Sequence, residues 1–134
     1  MHPSQRSFRL AAGQRLQAAE FLLHGKLNLD AMYLAGYAIE CALKSLILAR
    51  TDPDDLPAMA DRISRGRKMH DFETRNIILG QSNSSVPLVL LKKLRRGDWS
   101  TDIRHETGLR DYGESRAFLK TAALVLHWVD GGVL

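Results

Sequence analysis

The chain has 134 residues, of which 45% are hydrophobic and 25% are charged. This composition is too apolar for a disordered segment, and this length gives one hydrophobic core without room for a second. We therefore expect a single domain over residues 1–134. The formal net charge of +4 is too small to indicate a nucleic-acid binder by itself, so the positions of the basic residues matter more than their number.

The cysteine content and the apolar runs predict where the protein works. A single cysteine, Cys41, excludes an internal disulfide bond and favours a reducing compartment. The apolar run from Ala31 to Ile39 ends at Glu40, short of the roughly 20 residues that span a bilayer. The N-terminal residues lack the apolar segment of a secretory signal. We expect a cytoplasmic protein with no membrane partner.

The first predicted helix runs from Ser4 or Ser7 to Gly25. Gly25 is expected to be its left-handed C-terminal cap, because glycine adopts that conformation without a steric cost. Apolar residues recur at spacings of three and four and predict one buried face. This face consists of Phe8, Ala12, Leu16, Ala19 and Leu23.

The second predicted helix runs from Ala31 to about Arg50, with Asp30 as its N-cap. Up to residue 49 its only charged residues are Glu40 and Lys44. A helix that is apolar nearly all round is covered on more than one side, so we expect it to face both the core and a second subunit. Its polar stripe is predicted to form a polar groove or a dimer contact. The stripe consists of Tyr33, Tyr37, Glu40 and Lys44.

Proline and glycine divide the middle of the chain into short helices. Pro53 and Pro57 break the chain, and a weak helix is expected from Ala58 to Ile63. The next expected helix runs from Phe72 to Leu79, with Asp71 as its cap and Gly80 at its end. A further helix is framed by Ser85, Pro87 and Gly97.

The last part of the chain contains a long loop and a final helix. Residues 97–113 show no period, but their aromatic and apolar content predicts an ordered segment rather than a linker. The final helix is expected from Glu114 to about Asp130, with an apolar face of Phe118, Ala122, Val125, Leu126 and Val129. The whole pattern predicts an all-α fold, an antiparallel up-and-down bundle of four main helices plus short ones.

Two basic runs are candidate contacts for phosphate groups. The first consists of Arg62, Arg65, Arg67 and Lys68, and the second of Lys92, Lys93, Arg95 and Arg96. Each run has an alternative interpretation: the first as a solvated loop, the second as cations that complement the dipole of a helix C-terminus. The histidines are dispersed without partners at ligand spacing, so neither a metal site nor a cofactor is expected.

Three segments resemble HEPN domains. They are the run Tyr33-Leu-Ala-Gly-Tyr37-Ala-Ile-Glu40-Cys41-Ala-Leu-Lys44, the triplet His70-Asp71-Phe72, and the segment that contains Trp99 and Ile103-Arg104-His105-Glu106. The resemblance implies an all-α bundle that forms a homodimer and acts on RNA or nucleotides, often in defence or toxin–antitoxin systems. It also implies a possible nucleotidyltransferase partner.

Three functions remain open at this stage. The favoured one is a non-catalytic dimer that binds RNA, a nucleotide or a partner protein. The second is a metal-independent ribonuclease, for which the family uses an arginine and a histidine; Arg104 with His105 is the first candidate pair and Arg65 with His70 the weaker one. The Arg65 pair has the family's spacing but an earlier position, which favours the non-catalytic function. The third is a subunit that binds only protein.

Overall fold

The computed structural model describes residues 2–65, 67–81, 85–96 and 110–134, without the side chains of residues 67, 68, 95 and 96. Within these ranges all regular structure is helical, which confirms the all-α prediction. The α-helices are α1 (Pro3–His24), α2 (Asn28–Ala49), α3 (Leu56–Arg65), α4 (Phe72–Gln81), α5 (Leu88–Arg96) and α6 (Tyr112–Val129), and 3₁₀ turns lie at Pro53–Asp55 and Arg67–His70.

The ends of α1 differ in detail from the prediction. His2 is the N-cap, and its Nδ1 accepts a hydrogen bond from the Ser4 amide at 3.1 Å. At the other end Gly25 has a φ of −80°, whereas Lys26 has a φ of 64°. Gly25 is therefore the C-cap as predicted, but the prediction that it is left-handed was wrong, because the next residue adopts that conformation. The predicted apolar face is confirmed, since Ala12, Ala19 and Leu23 are buried and Phe8 and Leu16 pack against the core.

Helix α2 begins earlier than predicted and lies in the centre of the fold. Asp30 is within its first turn, and the N-cap is Leu27, whose side chain makes no capping hydrogen bond. Fourteen of its 22 residues are buried in the single chain, so packing within the chain already accounts for most of its apolar character. Its partly exposed stripe, the α2 stripe, consists of Tyr33, Leu34, Tyr37 and Cys41.

The same helix has the length and hydropathy of a candidate membrane span. Its apolar window, within Asn28–Ala49, has a mean hydropathy of 1.4, and 78% of that window is buried inside the protein. Burial of this extent is typical of the core helix of a bundle, which must be apolar on several sides for the same physical reason as a membrane helix.

Two of the shorter helices, α3 and α4, extend beyond their predicted ends. Helix α3 begins at Leu56 and includes Pro57 in its first turn, where a missing amide hydrogen costs nothing. Helix α4 continues through Gly80 to Gln81. Helix α5 begins only at Leu88, so the prediction of Ser85 as its N-cap with Pro87 in its first turn was wrong. The predicted end of α5 at Gly97 lies outside the described residues.

Helix α6 begins two residues before its predicted start. Its N-cap is Asp111, whose Oδ2 accepts a hydrogen bond from the Glu114 amide at 2.9 Å. The predicted apolar face is confirmed, because Phe118, Ala122, Val125 and Leu126 are buried and Val129 packs against the core.

Helices α1, α2 and α6 pack against one another and enclose the centre of the core. Asn28 Nδ2 donates to the carbonyl of Arg110 at 2.9 Å, which places the starts of α2 and α6 together. Arg9 Nε donates to Asp130 Oδ1 at 2.7 Å, which joins the start of α1 to the end of α6. Helix α6 therefore runs opposite to α1. Helices α3 and α4 pack on α2, and α5 packs on α6.

Candidate functional site: a buried charged cluster beside His70

Four ionisable residues from α2, the second 3₁₀ turn and α4 meet at one place. These residues, which we call the Glu40 cluster, are Glu40, Lys44, His70 and Arg75. Glu40 and Lys44 are each 4% exposed and Arg75 is 2% exposed. Charged side chains are rarely buried to this extent unless they are paired. Such a concentration of buried charge in a small helical protein marks the cluster as the leading candidate for a functional site.

The carboxylate of Glu40 is the centre of the cluster. Its Oε2 lies 3.2 Å from Lys44 Nζ, one helical turn along α2. Its Oε1 lies 3.1 Å from His70 Nδ1 and 3.5 Å from Arg75 Nη1. One buried carboxylate thus holds three basic groups that come from three different elements.

Local hydrogen bonds explain how the second 3₁₀ turn and α4 present His70 and Arg75. Arg75 Nη1 donates to the carbonyl of Met69 at 2.8 Å, which ties the helix to the turn before it. Asp71 caps α4 as predicted, because its Oδ1 accepts from the Glu73 amide at 3.3 Å and its Oδ2 accepts from Thr74 Oγ1 at 3.2 Å. His70 is therefore anchored on both sides of its position in the chain.

The cluster holds more positive than negative charge. Burial lowers the pKa of Arg75 to about 10, and the nearby carboxylates of Glu40 and Asp71 oppose this shift. Arg75 is still charged at neutral pH, so two buried cations share the single carboxylate of Glu40. Arg75 Nε, which is buried, has no hydrogen-bond partner in the part of the chain that the structure describes. Lys44 Nζ also lies 5.7 Å from the ring centre of Phe8, within the range of a cation–π contact.

His70 is the member of the cluster that reaches the solvent, and 52% of its side chain is exposed. A carboxylate accepts hydrogen bonds, so the Glu40 contact assigns the ring hydrogen to Nδ1. The Nε2 of a neutral ring is then a lone-pair nitrogen that can accept a hydrogen bond or a proton from a ligand. A buried carboxylate that orients a half-exposed imidazole can serve in anion binding when the ring is protonated and in proton transfer when it is neutral.

The other two residues of the predicted polar stripe are tyrosines on the same helix. Tyr33 and Tyr37 contact each other edge to face, with ring centres 5.0 Å apart and an angle of 73° between the planes. The next member of the α2 stripe is Cys41, and burial raises the pKa of its thiol, with a further increase from the adjacent Glu40. A raised pKa keeps this thiol protonated, and a protonated thiol is a poor nucleophile.

The predicted basic residues occupy several places. Arg62 and Arg65 are exposed on the last turns of α3, and Arg65 Nε contacts Asp61 Oδ1 at 2.9 Å. Lys92 and Lys93 are exposed on α5. The side chains of Arg67, Lys68, Arg95 and Arg96, and the whole of Arg104 and His105, lie outside the described residues.

Arg75 is the cluster member that the sequence analysis missed. A signal for it is present: Phe72, Arg75 and Leu79 follow a helical spacing, which places the guanidinium on the apolar face of α4. An arginine on an apolar face is expected to find a buried acidic partner. On α2 the only acidic residue on the predicted polar stripe is Glu40.

Comparisons of the chain with protein-family models, with curated proteins and with solved structures give no significant match. The geometry of the Glu40 cluster and the residues that surround it are therefore the features that indicate a function. Within the described ranges no group of three or more histidine, cysteine or acidic residues could hold a metal ion.

Proposed function

We propose that this chain is a HEPN-like protein, an antiparallel bundle of four main helices that forms a homodimer and binds RNA or a nucleotide beside His70. The observation that carries the proposal is the Glu40 cluster, in which a half-exposed imidazole is held next to two buried cations. Because phosphate groups are anions, a site with excess positive charge and an exposed donor favours them over neutral ligands.

The surroundings of His70 support a phosphate-bearing ligand. The basic run of Arg62, Arg65, Arg67 and Lys68 directly precedes His70 in the chain, and Arg62 is exposed on α3. Arg65 shares its charge with Asp61, so Arg62 has the freer guanidinium of these two. Basic side chains that contact phosphate groups supply the sequence-independent part of nucleic-acid affinity.

The proposal is tested by binding of a fluorescently labelled single-stranded RNA and a labelled nucleoside triphosphate at low ionic strength. We expect saturable binding of one of these ligands, weakened about tenfold by His70→Asn, because that change removes a charge-assisted hydrogen bond. Asparagine retains a donor for Glu40, so the fold is expected to survive. His24→Asn, an exposed histidine at the end of α1, is the matched control and leaves affinity unchanged.

Two results would contradict this function. One is the absence of saturable binding of either ligand at low salt, which would leave the alternative of a subunit that binds only protein, such as a nucleotidyltransferase. The other is binding that His70→Asn and His24→Asn affect equally.

A second candidate function, a metal-independent ribonuclease, is favoured by the contact between Glu40 and His70. An imidazole oriented by a carboxylate is an arrangement used by general bases. His70 Nε2 would take the proton of a ribose 2′-hydroxyl, whose oxygen then attacks the adjacent phosphorus. The 5′-oxygen would leave with a proton from solvent, and the product would end in a 2′,3′-cyclic phosphate.

This candidate is tested by incubating the protein with RNA in EDTA. It predicts products with a cyclic phosphate, and at least about a hundredfold loss of rate in His70→Asn. Intact RNA, or cleavage at the same rate in His70→Asn, removes the ribonuclease function without affecting the binding function.

A further inference from the structure

A surface cleft lies at one end of the bundle, where α1 begins and where α2 and α6 end. It has a volume of about 580 Å³, within the range of roughly 300–1,000 Å³ that is typical of small-molecule sites. Its apolar surface consists of Leu10, Leu46, Ala49 and Val129. Among these residues Leu10 is 57% exposed, so the apolar surface is accessible from outside.

The polar residues that line the cleft carry a net positive charge. Arg9 and Asp130 form an ion pair across it, in which Arg9 Nε donates to Asp130 Oδ1 at 2.7 Å. Their hydrogen bond lowers the pKa of Asp130, so this pair stays ionised and contributes no net charge. Arg6, one turn earlier on α1, is exposed and has no acidic partner within the described ranges.

The remaining hydroxyl group in the cleft does not compete with Arg6 for an anion. Ser45 donates its only hydroxyl hydrogen to the carbonyl of Ala42 at 2.6 Å. A hydroxyl used in this way offers only lone pairs, which repel an anion. Gln5 also lines the cleft and offers a neutral amide donor, so Arg6 is the cation that would hold a negative head group at the mouth of the cleft.

We propose that this cleft binds a small organic anion with an apolar body, of which a medium-chain carboxylate is the simplest example. The carboxylate pairs with Arg6, and the hydrocarbon chain lies against Leu10, Leu46 and Val129. The site shares no residue with the Glu40 cluster, so it is independent of the proposed RNA or nucleotide binding.

The test is isothermal titration calorimetry with octanoate, compared with octanol, which has the same apolar body without the charge. We expect one saturable site for octanoate and weaker binding of octanol. Arg6→Gln is expected to reduce octanoate affinity about tenfold and to leave octanol affinity unchanged, because this change removes the positive charge that pairs with the carboxylate and octanol has no charge to pair with. Arg116→Gln, an exposed arginine on α6, is the matched control and changes neither affinity.

A second variant tests the position of the apolar body. Ala49→Phe places a larger side chain in the cleft and is expected to abolish binding of both probes, while circular dichroism shows an unchanged helical content. Equal affinities for octanoate and octanol would overturn the proposal, as would non-saturable binding. Octanoate binding that survives Arg6→Gln or Ala49→Phe unchanged would also overturn it.

Discussion

At the scale of single residues, Glu40 supplies the negative charge that pairs with the buried cations Lys44 and Arg75. Two charged residues on an otherwise apolar helix were visible in the sequence as an unusual feature of α2. Their burial was not predictable from α2 alone, because it depends on Arg75 and His70, which approach from α4 and the preceding turn. Glu40 and His70 are 30 positions apart in the chain, so only folding brings them into contact.

The first prediction compares the removal of the carboxylate with the removal of one cation. Glu40→Gln leaves Lys44 and Arg75 buried without a counter-charge, and we expect it to lower the free energy of unfolding by about 3–5 kcal/mol. Arg75→Met removes a desolvated cation but also a hydrogen bond, so its cost is expected to be at most about 2 kcal/mol. Urea unfolding followed by circular dichroism measures both.

The control for this comparison is Glu20→Gln, an exposed glutamate on α1, which is expected to change stability by less than about 0.5 kcal/mol. If Arg75→Met costs as much as Glu40→Gln, the carboxylate is not the centre of the cluster and the charge argument is wrong.

At the scale of elements, the helix interiors were predictable and the helix ends were not. The apolar faces of α1 and α6 follow directly from their spacing. The start of α2 could not be read from Asp30, because its first turn is held by a contact between Asn28 and Arg110 from a distant segment. Likewise, the sequence offered Gly25 as the obvious left-handed residue, but the turn places Lys26 there.

The second prediction concerns this turn. Lys26 adopts a left-handed conformation that costs a residue with a Cβ about 1 kcal/mol, so Lys26→Gly is expected to stabilise the protein by about 0.5–1 kcal/mol. Gly25→Ala is expected to have little effect, because its new Cβ would lie 3.6 Å from the Leu22 carbonyl oxygen, an ordinary contact. Thermal unfolding of the two variants tests whether Lys26 or Gly25 is the left-handed residue. A decrease of stability in Gly25→Ala together with no increase in Lys26→Gly would contradict the structure.

The third prediction concerns the ion pair that joins α1 to the end of α6. Arg9 lowers the pKa of Asp130 from its usual 3.8, so the pair adds stability above that pH and loses it as the pH falls through the lowered pKa. The side chains are 34% and 49% exposed, which limits the contribution to about 0.5–1 kcal/mol. Asp130→Asn is therefore expected to be less stable than the natural protein at pH 7, and this difference is expected to be smaller near pH 2, below the ordinary pKa of the carboxyl group.

Urea unfolding at both pH values measures this difference. The control is Asp61→Asn, which removes an exposed pair within α3 and is expected to have a smaller effect at pH 7. A decrease of stability in Asp130→Asn that is the same at both pH values would show that the carboxylate acts through packing rather than through charge.

At the scale of the whole molecule, the sequence predicted an all-helical chain, and all regular structure in the described residues is helical. The expectation that α2 faces a second subunit arose from its apolar composition, but burial within one chain accounts for most of that composition. What remains for a subunit contact is the α2 stripe. The sequence could not separate these two contributions, because apolar residues that face a core and those that face a partner have the same composition.

The fourth prediction is that the proposed homodimer forms through the α2 stripe. The natural protein is expected to have twice the chain mass of 15.0 kDa in light scattering, and Tyr37→Arg is expected to shift it to the monomer. Phe21→Arg changes a residue that is 80% exposed on α1 and is expected to leave the dimer intact. A monomeric natural protein would contradict the dimer, and dissociation by Phe21→Arg instead of Tyr37→Arg would place the contact on α1.

The most direct test of the central claim is the salt dependence of RNA binding, measured by fluorescence anisotropy with a labelled single-stranded oligonucleotide. Each phosphate contact contributes about −0.7 to the slope of log affinity against log salt concentration for single strands. We predict a negative slope for the natural protein. In Arg62→Gln the slope is expected to become less steep by the amount that one phosphate contact contributes. Arg116→Gln is the control and is expected to leave the slope unchanged. Absent binding at low salt, or identical slopes and affinities for the natural protein, Arg62→Gln and His70→Asn, would contradict RNA binding at the surface beside His70.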